Sequence, residues 1–136
     1  RYLGRLSGPL LDRVDVKVTL EPVTRQAMLY DRKFAETSEV VAKRVALARE
    51  RSARRLHGTP WRLNAEIPGA ELRRSYPAET GALRELSRAM DLRQVTARGA
   101  DKIVRVAWTV ADLAGHPRPG KGEIHTAISL WLGTNG

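Results

Sequence analysis

The sequence contains no cysteine, and only 5% of its 136 residues are aromatic. Without cysteine the chain can form neither a disulfide framework nor a thiolate metal site, which fits a reducing cytoplasm. The apolar residues are mostly alanine, leucine and valine, a composition that favours packed helices over a β-sandwich or barrel. No run approaches the roughly 18 apolar residues that a membrane-spanning helix needs, so we expect no membrane partner.

Acidic residues are scarce relative to basic ones. The chain carries 24 Lys and Arg against 15 Asp and Glu, a net charge of +9, and arginine is far commoner than lysine. Because a guanidinium binds phosphate through two parallel hydrogen bonds, this excess predicts a phosphate-bearing partner, either nucleic acid or nucleotide. Solvated arginines in an arginine-rich proteome explain the same composition equally well.

The residues needed for a complete catalytic apparatus are missing too. The three histidines show no metal-ligand spacing, and no Gly-rich phosphate loop is present. Pairs of glutamates sit among arginines, as solvated ion pairs do. We therefore expect no metal site and no self-contained active site in this chain.

The N-terminal part of the chain has the alternating pattern of a β-strand. Between residues 14 and 20 apolar and polar residues alternate, which is the period of a half-buried β-strand, and Pro22 ends the pattern. A single strand is not stable alone, so the pattern indicates a strand taken from a larger sheet. Residues 21–36 lack clean periodicity and predict a linker.

The rest of the chain predicts four or five helices. A long helix over 38–56 begins at Thr37 or Ser38, and another over 97–114 begins at Thr96, because these hydroxyl side chains cap helix N-termini. Shorter helices are predicted at about 70–74, 77–90 and about 120–132.

Apolar residues at helical spacing mark the faces that should turn toward a core. The helical part has about 100 residues, which is enough for a core of its own. The predicted core residues are Val41, Val45, Ala48 and Ser52 in the first long helix, Leu83, Leu86 and Met90 in 77–90, Ile103, Val104, Ala107, Val110, Ala111 and Ala114 in 97–114, and Ile124, Ile128 and Trp131 in the last helix.

Two arginines stand where an anion would stabilise their charge. Arg98 is the second residue of the helix that follows Thr96, where a cation opposes the helix dipole at a cost of about 0.3–1 kcal/mol unless an anion binds. The alternative is an exposed arginine that a stable helix tolerates. Arg13 lies between Asp12 and Asp15; it can pair with either carboxylate or reach across a subunit boundary to a transferring phosphoryl group.

A further basic group lies toward the C-terminal end of the first long helix. If the chain binds nucleic acid directly, the candidate residues are Arg44, Arg51, Arg54 and Arg55. Trp61 follows in a loop and is a candidate for base stacking, although core packing accounts for it as well.

Four segments resemble, in order, those of magnesium-chelatase-like AAA+ ATPases of the bacterial competence-associated, ComM-type branch. Residues 5–15 (RLSGPLLDRVD) resemble the family's SGPLLDRxD segment, and residues 63–65 (LNA) resemble its LNA segment. Residues 96–100 (TARGA) resemble its SARA helix start, and residues 103–115 (IVRVAWTVADLAG) resemble its ILRVARTIADLAG helix. Trp108 stands where the family usually has arginine.

The resemblance implies a mainly α fold, a helical-bundle AAA+ lid preceded by one β-strand and a linker left over from the ATPase core. Residues 1–20 would end the core, 21–36 would form the linker, and 37–136 would form the lid. Family members are expected to form hexameric rings that bind ATP and Mg²⁺ between subunits, and this branch is expected to remodel DNA by branch migration in the cytoplasm.

The resemblance also gives the two arginines roles. Arg13 matches the arginine finger that acts in trans on the neighbouring subunit's γ-phosphate, and Arg98 matches the sensor-2 arginine that contacts nucleotide in cis. The Walker segments and sensor 1 are missing from this sequence. We therefore expect the fragment alone to be inactive and to hold neither ATP nor Mg²⁺ tightly.

Two other functions stay open at this point. The chain could be a stand-alone basic helical module that binds nucleic acid, because its charge and its arginine-rich helix suit that role. It could also belong to the ATPase subunit of a magnesium chelatase, which acts in metal insertion, although residues 7–9 (SGP) and the VAWTVADLAG helix resemble the competence-type branch more closely.

Overall fold

The computed structural model describes residues 14–18 and 35–134. Helices form the regular structure within these ranges. Within these ranges a short 3₁₀ turn, Asn64–Glu66, lies between the first two α-helices, and no β-strand is present. The mainly helical fold expected from the sequence is confirmed. The α-helices are α1 (Ser38–Arg55), α2 (Gly69–Ser75), α3 (Arg84–Asp91), α4 (Ala97–Ala114) and α5 (Lys121–Leu132).

Local sequence signals set the ends of the two long helices. The Thr37 hydroxyl accepts the backbone N–H of Val40 at the start of α1, and the Thr96 hydroxyl accepts that of Gly99 at the start of α4. Gly115 ends α4 with a φ of 78°, the left-handed conformation that glycine adopts without strain. The predicted bounds of α4 are therefore confirmed.

The helix predicted over 77–90 is shorter than expected, because α3 begins only at Arg84. Gly81 has a φ of +79°, which no residue of a right-handed helix adopts. The backbone N–H of Glu79 instead donates to the carbonyl of Pro119 at 2.9 Å, which holds this turn against the connection between α4 and α5. A tertiary contact thus replaces the predicted first turns.

The predicted inward face of this helix is correspondingly wrong at two positions. Leu83 and Met90 are 40% and 37% exposed. Leu86 is buried as predicted, and the two alanines Ala82 and Ala89 are buried beside it. The later start of α3 leaves Leu83 outside the helix.

Residues 14–18, the described part of the strand predicted over 14–20, form no strand within this chain. The alternation is nevertheless visible in the exposure of the side chains. The three apolar residues, Val14, Val16 and Val18, are exposed, whereas Asp15 and Lys17 are half-buried. A strand requires a neighbour that exchanges backbone hydrogen bonds, and none lies beside these residues among those described.

Helix α4 is the centre of the domain, since it contacts each of the other four α-helices. On one side it meets α3 and α5, where Leu86, Ile103, Ala107, Ile124 and Ile128 form the main core. On the other side Trp108 packs with a smaller apolar cluster. That cluster consists of Leu56, Ile67, Leu72 and Trp108.

Helix α1 contributes less to the core than its pattern predicts. Only Ala48 of its predicted inward face is buried, while Val41 and Val45 are exposed and Ser52 is half-buried. In α4, Ala114 is also exposed, because it lies in the last turn beyond the packed face. The predicted inward face of α5, in contrast, is confirmed: Ile124, Ile128 and Trp131 are all buried.

The start of α4 packs so closely on α5 that a side chain at Gly99 has no room. A Cβ atom there would lie 2.9 Å from Cζ2 of Trp131, whose ring is buried and cannot move aside. We expect Gly99→Ala to lower the free energy of unfolding by about 1–3 kcal/mol. Urea unfolding followed by circular dichroism measures this value.

Gly122→Ala is the matched control, because a Cβ at Gly122 in α5 meets nothing within 4 Å. Alanine is the better helix former by up to about 1 kcal/mol, so this control should be neutral or stabilising. Equal unfolding curves for the two variants would show that the Gly99–Trp131 contact is not tight.

Candidate functional site

The first turn of α4 carries a positive charge that pairs with no acidic side chain among the described residues. Arg98 is exposed, and within the part of the chain that the structure describes no hydrogen bond or ion pair engages its guanidinium. No acidic residue lies in this turn. The guanidinium therefore adds to the positive end of the helix dipole, and a bound anion would relieve both.

The turn that bears Arg98 rests on Trp131 of α5. The Cζ2 atom of Trp131 lies against Gly99, and the Thr96 hydroxyl caps the helix at the same place. Because the indole ring is only 6% exposed, the position of this turn is fixed by packing and by the cap. The side chain of Arg98 therefore projects from a rigid base.

A face of the Trp131 ring meets the segment 14–18. The Nζ atom of Lys17 lies 2.6 Å from the Trp131 carbonyl oxygen and 4.1 Å from the centroid of its ring. Asp15 forms an ion pair with Lys102 of α4 at 3.0 Å. These contacts hold residues 14–18 on the helical domain by their polar side chains.

Arg13, the predicted finger, directly precedes Val14 but lies outside the described residues. Its role therefore stays a prediction. Residues 14–18, which follow Arg13 in the chain, are held on the helical domain by the contacts of Lys17 and Asp15.

Two of the four predicted nucleic-acid contacts form exposed ion pairs within α1 and its approach. Arg44 pairs with Glu36 and Arg54 pairs with Glu50. The hydrogen bond and charge of Arg44 lower the pKa of the Glu36 carboxyl below its ordinary value. Exposed pairs of this kind contribute at most about 1 kcal/mol, so a phosphate could displace either carboxylate.

The other two predicted nucleic-acid contacts are engaged inside the domain. Both nitrogens of the Arg55 fork donate to the Asp112 carboxylate at 2.7 Å, and one of them also donates to the Asn64 side-chain oxygen at 2.9 Å. The guanidinium carbon lies 4.3 Å from the centroid of the Trp108 ring. Arg51 donates to the Asp112 backbone carbonyl. This geometry favours a structural role for both arginines.

Asp112 and Asn64 complete this network, although neither was predicted from the sequence as a functional residue. The amide of Asn64 donates to Asp112 at 3.0 Å and to the Thr109 hydroxyl at 3.1 Å, so the 3₁₀ turn is tied to α4. A signal was available: Asp112 directly follows Ala111 on the buried face of α4. A carboxylate is rarely buried without a partner, so its position predicts a partner cation.

The loop between α1 and α2 is also built on local contacts. Trp61, the predicted base-stacking residue, is half-buried and packs against the cluster that contains Trp108. One carboxylate oxygen of Glu66 accepts the backbone N–H groups of Arg62 and Leu63, both at 2.9 Å. These two hydrogen bonds lower the pKa of Glu66. Packing thus accounts for Trp61 without a bound base.

Neither a metal centre nor a membrane span is found where the structure can be described. Residues 14–18 and 35–134 contain no group of three histidine, cysteine or acidic side chains placed to hold a metal ion. His116 and His125 each lie beside a glutamate instead. No described helix is both long and apolar enough to cross a bilayer.

Comparison with models of protein families matches residues 35–130 to the family described as magnesium chelatase, subunit ChlI C-terminal. An uncharacterized protein of Mycobacterium tuberculosis is 43% identical over 130 residues, which cover 96% of this chain and 25% of that protein. The competence protein ComM of Haemophilus influenzae is 30% identical over 115 residues, covering 85% of this chain and 22% of ComM. The uncharacterized protein YifB of Escherichia coli is 32% identical over 114 residues, with coverages of 83% and 22%. The chain thus spans about a quarter of the length of these relatives.

Proposed function

This chain belongs to the magnesium chelatase subunit ChlI C-terminal family, and we propose that it forms the helical lid of an AAA+ ATPase that works in the cytoplasm. The nucleotide-binding core would lie in the part of the protein that corresponds to the remaining length of the relatives. The observation that carries the proposal is Arg98, an exposed cation without a partner among the described residues, at the capped start of α4. We propose that Arg98 is the sensor-2 arginine and contacts ATP bound to the core of the same subunit.

The start of α4 fits a nucleotide phosphate chemically. A guanidinium donates two parallel hydrogen bonds to phosphate oxygens, and the helix N-terminus adds a further partial positive charge. No acidic residue lies in this turn, so no side chain of the turn itself competes with the phosphate for Arg98. ATP supplies the phosphoryl group that is transferred, and Arg98 would bind and orient it.

Magnesium does not fit the described residues in the same way, because they contain no cluster of acidic ligands. Mg²⁺ usually keeps several waters and binds through substrate phosphates and one or two carboxylates. We propose that those carboxylates belong to the core, so that the lid contacts the nucleotide without contacting the metal ion.

We further propose that residues 1–20 complete the core, 21–36 connect it to the lid, and 37–136 form the lid. The exposed faces of Val14, Val16 and Val18 support this division. Apolar side chains on one face of an extended segment are what a strand of the core sheet would bury. In a hexameric ring, Arg13 would then act in trans on the phosphate of the neighbouring subunit.

DNA is the partner that we propose for the assembled ATPase, and branch migration is its proposed task. The net charge of +9 supports a polyanionic partner. Since Arg51 and Arg55 are engaged within the domain, Arg44 and Arg54 are the better candidates for contact with DNA phosphates.

The proposed role of Arg98 is tested by Arg98→Ala in the full-length ATPase. We expect kcat for ATP hydrolysis to fall about a hundredfold, because a donor to the developing phosphate charge is lost. The KM for ATP should change much less. The matched control is Arg88→Ala, which removes an exposed arginine of α3. If both variants turn over ATP at the wild-type rate, Arg98 is not a sensor.

Two alternatives are each favoured by one observation. The charge of +9 also suits a nucleic-acid-binding module that works without a core. Micromolar binding of DNA by this chain with a steep salt dependence would favour that function, and absence of binding would favour the lid. The match to the C-terminal family of the magnesium chelatase subunit ChlI favours a magnesium chelatase subunit, which a metal-insertion assay would detect.

A further inference from the structure

The C-terminal end of α5 is stabilised by a residue that is distant in sequence. No basic residue lies in the last turn of α5, although a cation there would stabilise the unpaired carbonyl groups. Lys17 supplies this cation: its Nζ atom donates to the carbonyls of Trp131, at 2.6 Å, and of Val14. Its backbone N–H donates to the carbonyl of Leu130.

The same lysine also lies over the Trp131 ring, 4.1 Å from the centroid. A cation over an indole face is attracted by its π electrons, by about 0.5–2 kcal/mol depending on burial. Lys17 thus holds both the backbone and the side chain of Trp131. The position of residues 14–18 is therefore coupled to the position of one buried indole ring.

An edge of the same ring supports the start of α4. Cζ2 of Trp131 lies so close to Gly99 that no Cβ could be placed between them. Closely packed groups transmit a displacement because there is no empty volume to absorb it. A shift of residues 14–18 consequently reaches the turn that carries Arg98.

We infer that Lys17 and Trp131 are positioning residues that couple the segment following Arg13 to the helix start bearing Arg98. This inference rests on the proposed function, since both arginines are assigned there. In this role both residues would act through the positions of other groups and not by touching the nucleotide. Their effect is that residues 14–18 and the start of α4 move as one unit. Each subunit then engages the phosphate of its own nucleotide and that of its neighbour's nucleotide together.

The first test measures ATP hydrolysis by the full-length ATPase carrying Lys17→Met, which keeps most of the length of the side chain and removes its charge. We expect kcat to fall about tenfold, because misplacement by an ångström or less is costly at a phosphoryl-transfer site, with little change in the KM for ATP. Lys17→Arg keeps both the donor and the cation and should restore most of the turnover. The control is Lys121→Met, which removes the exposed first residue of the same helix.

The second test separates positioning from simple stabilisation by combining Lys17→Met with Arg98→Ala. If Lys17 acts through Arg98, its loss should lower kcat far less in the Arg98→Ala background than in the wild type. Fully additive effects would overturn the inference. So would a wild-type kcat for Lys17→Met, or a loss that Lys17→Arg does not restore.

Hydrogen–deuterium exchange on the full-length protein gives a readout that is independent of turnover. Lys17→Met should speed exchange in the peptides that contain residues 14–18, because without the side-chain contacts the backbone N–H of residue 17 would open more often from the Leu130 carbonyl. Unchanged exchange would contradict the coupling. A normal kcat for Arg98→Ala would instead refute the proposed function, so the two failures are distinguishable.

Discussion

Replacing Asp112 with alanine is expected to lower the free energy of unfolding by about 3–5 kcal/mol, a large share of the stability of a domain of this size. The Asp112 carboxylate is almost fully buried and receives both arms of the Arg55 guanidinium. Its removal leaves that cation, whose side chain is only 16% exposed, without a counter-charge. It also removes an acceptor from the Asn64 amide, which ties the 3₁₀ turn to α4.

Urea unfolding monitored by circular dichroism measures this loss. The matched control is Glu50→Ala, which removes the partner of Arg54 from an exposed pair and should change stability by less than about 0.5 kcal/mol. A double variant, Arg55→Met with Asp112→Leu, should recover much of the loss because no unpaired charge stays buried. Asp112→Ala with the stability of the control would show that the network carries no structural role.

Replacing Arg13 with alanine in the full-length ATPase is expected to reduce kcat for ATP hydrolysis by about 10³–10⁵-fold, as loss of an arginine finger does in other nucleotide hydrolases. A finger stabilises charge that develops on the transferred phosphoryl group, so it contributes little to the bound ground state. The affinity for ATP, measured with a fluorescent analogue, should therefore stay within about threefold of wild type.

The control for Arg13→Ala is Arg5→Ala, which removes another arginine of the same N-terminal segment. It should leave turnover near the wild-type rate. A comparable loss in both variants would point to folding of the segment as the cause, and no loss in either would remove Arg13 from the catalytic account.

Local chemistry explains why some elements could be predicted from the sequence. The bounds of α4 follow from a hydroxyl cap at Thr96 and a left-handed glycine at Gly115, both of which act on adjacent residues. The beginning of α3 could not be predicted in this way. Pro77 permits a helix start, but the backbone contact of Glu79 with Pro119 decides the conformation, and it joins residues far apart in the chain.

The same distinction applies to the candidate site. The place of Arg98 at the start of a helix was visible in the sequence, because only the neighbouring Thr96 was needed to find it. The engagement of Arg55 was not, since its partner Asp112 lies on another helix. The contact of Lys17 with Trp131 joins opposite ends of the chain, and no spacing rule within one sequence predicts it.

The central claim is that Arg98 serves the nucleotide of its own subunit and Arg13 that of its neighbour, and mixed rings test it most directly. Arg13→Ala and Arg98→Ala proteins, each inactive alone, would be mixed in equal amounts and allowed to exchange subunits. A site keeps both arginines when an Arg13→Ala subunit holds the nucleotide and its neighbour is an Arg98→Ala subunit. This is one of four equally frequent pairings of subunits, so ATP hydrolysis should recover to about a quarter of the wild-type rate. A mixture no faster than the average of the two separate variants would contradict the claim.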